Sequence, residues 1–168
     1  MRVGMVFASP TPLVARFTRD GAKVADAHPE RRTDGAWSLD AGPLLRVYGA
    51  TGIEVELQPG QNLACVSAEY YRLPPDVEGQ LFTKSSRARE WITHSTATLI
   101  HPGFCGEIAF ELHYTGQHPY VIRNGMRLVQ IAFSRLEAPV EAPYFARIGA
   151  HYRGQRGEVR SRDPEGLA

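Results

Sequence analysis

The chain of 168 residues carries 19 Lys and Arg against 18 Asp and Glu, a formal net charge of +1, so no global field draws it to nucleic acid or to an anionic membrane. That length suffices for a real hydrophobic core without metal or disulfide support, and no apolar run approaches the ~20 residues of a membrane span. The opening MRVGMVFASPTP lacks the long apolar stretch of a secretory signal, so a reduced, soluble, cytoplasmic protein is expected.

A single domain over 1–168 is expected. Residues 19–40, RDGAKVADAHPERRTDGAWSLD, are polar and turn-rich, which predicts an irregular loop. Short apolar runs then follow at Leu44–Tyr48, Ile53–Leu57, Asn62–Ser67, Gly79–Phe82, Ala97–Ile100, Glu107–Tyr114, Tyr120–Ile122 and Leu128–Phe133. Breakers such as QPGQN, LPPD, HPGFCG, TGQHP and RNGM separate them. Strands spaced about ten residues apart, with Gly/Pro turns between, predict an all-β sandwich or barrel. One helical turn is expected at Ser85–Trp91, where Ser85 could cap a short helix.

In the run from Glu107 to Tyr114, Ile108, Phe110 and Leu112 share one face, while Glu107, Ala109, Glu111 and His113 share the other. Glu111 is thereby either an ordinary charge on a solvated face or a group that chemistry needs. From Phe145 the chain loses apolar periodicity and gathers Arg147, Arg153, Arg156, Arg160 and Arg162. This stretch, 145–168, reads either as a frayed basic tail or as a mobile segment that closes over a polyanion. Cys65 and Cys105 could form one bridge, but they make neither a disulfide framework nor a metal-ligand quartet.

Three collinear blocks resemble the dCTP deaminase family of the dUTPase-like superfamily. LPPDVEGQLFTKSSRARE is similar to the family's G-R-S-S-x-A-R signature, and TATLIHPGFCGEIAFELHYTGQHPYVIRNGMRLVQIAF to its T-A-x-x-I-D-P-G block and the P-G-M strand after it. YFARIGAHYRGQRGEVRSR is similar to its closing tail. The resemblance implies a distorted β jelly roll (β-clip) with one or two short helical turns. It also implies a homotrimer with sites between subunits, and hydrolytic deamination of dCTP or a variant cytosine nucleotide to the uracil nucleotide and ammonia. The usual N-terminal helix is not evident.

No organic cofactor and no zinc are expected, because the H-x-E and P-C-x-x-C motifs of the zinc deaminases do not occur together in the sequence. Mg²⁺ is expected only on the nucleotide phosphates. Without a metal to acidify water, a carboxylate must take its proton, and Glu111 stands at the family's glutamate. Ser85 matches the serine that helps hold the water, and Arg89 the arginine beside it. Lys84, Ser86, Tyr144, His151 and Gln155 match phosphate or tail positions, with Lys84 in place of arginine and His151 in place of lysine. Ala97 and Thr98 fall in the base-recognising hairpin, Thr96 to His101. His101 replaces an aspartate that contacts the deoxyribose and, in dUTPases, serves the hydrolytic water, which argues against dUTP hydrolysis. A non-catalytic nucleotide-binding or regulatory protein of the same fold is the alternative, resting on the changed pair Leu99 and His101.

Overall fold

The computed structural model describes Met1, residues 52–94 and 97–156 with their side chains, and the backbone of six strands between residues 3 and 48. Those six are β1 (Val3–Ala8), β2 (Leu13–Phe17), β3 (Lys23–Ala25), β4 (His28–Arg31), β5 (Trp37–Asp40) and β6 (Leu45–Tyr48). Eight more follow: β7 (Ile53–Leu57), β8 (Asn62–Arg72), β9 (Val77–Thr83), β10 (Ile92–His94), β11 (Leu99–Ile100), β12 (Cys105–Tyr114), β13 (Tyr120–Arg123) and β14 (Val129–Arg135). The only helical turns among the described residues are α1 (Ser85–Ala88) and a 3-10 turn at Tyr144–Ala146. The fold is all-β with two short helical turns, and no helix of the described residues is long and apolar enough to cross a membrane.

The strands form three antiparallel sheets, ordered β10-β12-β8-β1-β6-β3, β13-β7-β2-β5-β4 and β11-β9-β14. The 19–40 segment corrects the expectation of an irregular loop, because it contains β3, β4 and β5. Two of its strands take partners elsewhere in the chain, β3 with β6 and β5 with β2, while β4 pairs locally with β5. Such pairing can override a weak local pattern. β1, β2 and β10 were likewise not expected from periodicity.

Alternation holds where it was legible. In β7 Ile53, Val55 and Leu57 are fully buried, and in β12 every even-numbered residue from Gly106 to Tyr114 is buried. These side chains meet Leu63, Cys65, Leu81, Ile92 and Leu128 in one core. The β8–β12 ladder contains a bulge. Tyr70 pairs with Glu107 and Val66 with Ala109, so β8 holds two more residues than β12 across the interval. Buried Ser67 fills this gap, its hydroxyl accepting from the Ile108 amide at 2.8 Å and donating to the Glu69 carbonyl at 2.7 Å. Because β8 absorbs the irregularity, β12 keeps its alternation and Glu111 stays on the face away from the core.

Residues 145–156, part of the basic stretch 145–168, dock as a strap on the start of β12. The Gly154 amide donates to the Cys105 carbonyl (2.7 Å), the Glu107 amide to the Gln155 carbonyl (3.0 Å), and Gln155 Nε2 to the Glu107 carbonyl (2.5 Å). Backbone ladder bonds and a buried Gln155 explain the order. Residues 157–168, with Gly157, Arg160 and Arg162, lie outside the described residues. Cys65 and Cys105 are both free thiols, so the possible bridge is not formed.

Candidate active site

The signature segment forms a single turn between β9 and β10. Lys84, not Ser85, occupies the N-cap, and no side chain caps the helix. This corrects the capping role allowed for Ser85: its hydroxyl is not spent on the helix end, and the residue is exposed. Lys84 donates its amide to the Leu128 carbonyl at 3.1 Å, tying the turn to the chain that enters β14. Ser86 is half-buried, and its hydroxyl oxygen has no partner among the described residues. Arg89 is the exposed C-cap of the turn.

Glu111 is half-buried on β12, opposite Ala64 of β8. The other neighbour of β12 is β10, with His94 registered against Leu112. His94 was not picked out from the sequence, because a three-residue strand gives no periodic signal. Its amide donates to Thr83 Oγ1 at 2.7 Å, and its Nε2 is buried with no partner among the described residues. Burial pushes the imidazole below its ordinary value, opposed by the nearby Glu111 carboxylate. On the β8 side, burial first and then the Glu111 charge raise the Cys65 thiol well above its usual range. Both groups feel the Glu111 charge, although the register pairs Cys65 with Phe110 and His94 with Leu112, whose side chains face the core.

A second group gathers at the other end of β12. The Tyr144 amide donates to the Pro102 carbonyl (2.9 Å) and the Phe145 amide to the Gly103 carbonyl (3.2 Å), seating the strap on the β11–β12 turn. Gly103 permits this approach. It has φ +77°, and a Cβ there would lie 2.5 Å from Pro143 Cβ and 2.9 Å from the Tyr144 nitrogen. The Tyr144 ring stacks on His101 and tilts against Phe104, each at 5.7 Å between centroids. Its hydroxyl accepts from the Tyr152 amide at 3.3 Å. Burial and then the Arg147 charge lower the His101 pKa, partly offset by Glu78. His151 is exposed and lines an open concavity of ≈ 380 Å³ with Arg147, Arg153 and the strap backbone.

Within this chain the expected residues thus fall into two groups. Lys84, Ser85, Ser86 and Arg89 lie on α1, which touches β10, and β10 pairs with the half of β12 that carries Glu111. His101, Tyr144 and Gln155 lie around the Cys105 end. Gly106, where Gln155 bridges, and Glu111 are five residues apart, about 17 Å along a strand. Ala97 is exposed and Thr98 half-buried beside β9, the Thr98 carbonyl already accepting from the Leu81 amide at 2.8 Å. Thr96 lies outside the described residues. No three His, Cys, Asp or Glu side chains of the described residues cluster as metal ligands.

The sequence model of the family described as dCTP deaminase-like matches residues 14–136. The chain belongs to the dCTP deaminase-like family. The match contains Ser85, Arg89 and Glu111 but ends before the strap, so Tyr144, His151 and Gln155 lie beyond it. Relatives include the "dCTP deaminase, dUMP-forming" of Dictyoglomus thermophilum, 37% identical over 63% of this chain and 55% of its own length. The protein of the same description from Mycobacterium leprae is 42% identical over 65% of this chain and 58% of its own. The "dCTP deaminase" of Natronomonas pharaonis is 37% identical over 68% and 60%. The chain therefore spans somewhat over half the length of these relatives. Among solved structures, the 2'-deoxycytidine 5'-triphosphate deaminase of Agrobacterium tumefaciens shares the fold. That likeness has a TM-score of 0.51 at 12% identity and covers 85% of this dCTP deaminase-like chain and 41% of the other.

Proposed function

We propose that this chain hydrolytically deaminates a cytosine deoxynucleotide, dCTP or a close variant, with Glu111 as general base and then general acid. Glu111 takes a proton from water, and the hydroxide adds to C4 of the ring. The carboxyl gives that proton to ring N3, then moves the C4 hydroxyl proton to the exocyclic nitrogen; the C4–N bond breaks, C4 becomes the carbonyl, and ammonia leaves the uracil nucleotide. Water and cytosine go in, uracil and ammonia come out, and no redox partner is needed. A positioned base of this kind contributes roughly 10²–10⁴-fold.

The observation that carries the reading is the setting of Glu111. It is half-buried on the face of β12 away from the core, opposite Ala64, and its charge reaches both His94 and Cys65. A half-buried carboxylate in a sheet that also buries apolar side chains is suited to gain and lose a proton. The relatives' printed activities support the same substrate class. We assign Ser85 and Arg89 to the water and the carboxylate, and Lys84, Ser86, Tyr144, His151 and Gln155 to the phosphates. Ala97, Thr98 and His101 face the base and sugar. Magnesium enters on the triphosphate as part of the substrate. The ~17 Å between the two groups along β12 supports a homotrimer in which neighbouring protomers complete each site.

A panel of cytosine nucleotides (ribo and deoxy, mono- to triphosphate, 5-substituted) tests this. Ammonia release and loss of cytosine absorbance with dCTP or an analogue are expected, abolished by Glu111→Gln. Full activity of that variant would refute the assignment. Because His101 is not a carboxylate, the product keeps its phosphates; pyrophosphate released from dUTP would show that His101 suffices for the second hydrolysis. Binding that raises the Tm without turnover of any nucleotide would favour a regulatory protein instead.

A further inference from the structure

The geometry points to Arg87 as a positioning residue that aims the Ser85–Arg89 face, acting with Tyr120 and Glu90; its catalytic consequence rests on the deaminase reading above. A four-residue helix is far too short to hold its own orientation. This one has no side-chain cap and no acidic residue in its first turn. The chain leaves it through Trp91 at φ 63°, a conformation that a non-glycine residue holds only with outside support. Main-chain tethers fix the two ends, at Lys84 to Leu128 and at Thr115 to the Trp91 carbonyl (3.0 Å).

The middle of the turn is fixed by side chains. Arg87 Nη1 donates to the Tyr120 hydroxyl at 2.7 Å and to Glu90 Oε2 at 2.5 Å, and the Tyr120 hydroxyl donates to the same Glu90 oxygen at 2.5 Å. The three groups close a ring of contacts between α1 and β13. Tyr120 is itself braced by Tyr114, with ring centroids 5.5 Å apart.

Helical periodicity gives the clamp its meaning. Residues three or four apart share a face, so Arg87 and Glu90 project together, and Ser85 and Arg89 project together from the opposite side. Holding the first pair on Tyr120 sets the direction of the second. Small displacements of catalytic groups are costly, on the order of 10²-fold per ångström.

Arg87→Leu, Arg87→Lys, Tyr120→Phe and the double variant Arg87→Leu/Tyr120→Phe test the clamp, assayed on dCTP with Tm and amide hydrogen exchange measured alongside. Arg87→Leu and Tyr120→Phe should each lower kcat at least tenfold while KM moves less. The double variant should lose no more than the worse single, and Arg87→Lys should recover part of the loss. Amides of Arg87 to Trp91 should exchange faster while those of β12 do not. Kinetics within twofold of the parent, or a loss that only tracks a fall in Tm, would overturn the proposal. A parent protein that turns over no cytosine nucleotide would instead defeat the deaminase reading. The clamp then stands or falls on the exchange data, and unchanged protection in Tyr120→Phe overturns it.

Discussion

His101 lies flat against Tyr144, their ring planes 5° apart and their centroids separated by 5.7 Å. His101 is thus the platform on which the strap rests. The stack also explains how a histidine is accommodated: Tyr144 covers one face of a ring whose environment disfavours protonation.

Removing the stack should loosen the strap. An aromatic pair is worth about 0.5–1.5 kcal/mol beyond its buried area, so Tyr144→Ala should shift the docking equilibrium roughly threefold to tenfold. Limited trypsin digestion at Arg147 and Arg153 should accelerate by that factor, and KM for the triphosphate should rise with it. Digestion at the parental rate would show that the Gln155 bridge alone holds the strap.

Gly103→Ala tests the same seat from below. The left-handed backbone costs an alanine about 1–2 kcal/mol, and its Cβ would meet Pro143 and the Tyr144 nitrogen at 2.5 and 2.9 Å. The strap should detach while the core, centred on Phe110 and Leu112, stays folded. Hydrogen exchange should therefore show lost protection at Tyr144, Phe145, Gly154 and Glu107, and unchanged protection in β7. A global fall in protection would contradict a separately docked strap.

Stability should decline in mild acid. His94 and His101 both titrate below their ordinary 6.5 in the folded chain, chiefly through burial. Between 6.5 and those lowered values the unfolded chain binds protons that the folded chain refuses. The stabilisation is complete above 6.5 and is lost as pH falls through the folded values, with a slope of up to about 1.4 kcal/mol per pH unit for each linked proton. Tm should fall from pH 7 towards pH 5.5, and His94→Gln should flatten part of that slope. A Tm that rises over this interval would reverse the sign of the argument.

The two thiols should differ sharply in reactivity. The Tyr70 hydroxyl lies 2.9 Å from Cys105 Sγ, and this hydrogen bond, with Arg72 and Arg156 nearby, lowers the pKa of a partly exposed thiol. Cys65 is fully buried and shifted the other way. A disulfide reagent should label one cysteine quickly in the native protein and the second only on unfolding. Tyr70→Phe should slow the fast phase and move its pH midpoint up towards 9.0, the ordinary value for a thiol. Equal labelling rates would overturn this assignment.

The alternation of Ile53–Leu57 and Glu107–Tyr114, the turn signals between strands, and the ordered motifs through Ser85, Arg89 and Glu111 were all legible in the sequence. They sufficed for an all-β fold and for the family, because hydrophobic period and turn chemistry are local properties of the chain. They also placed Glu111 on the outer face, since side-chain direction in a strand follows from parity alone. What parity cannot supply is a neighbour. The pairing of β3 with β6, the bulge that Ser67 fills, the Glu111 charge acting on His94, the strap on Gly103 and the Arg87–Tyr120 clamp all join segments distant in sequence. Only chain closure in three dimensions selects such partners, through register, buried hydrogen bonds and charge, and these decide which of the legible residues can act together.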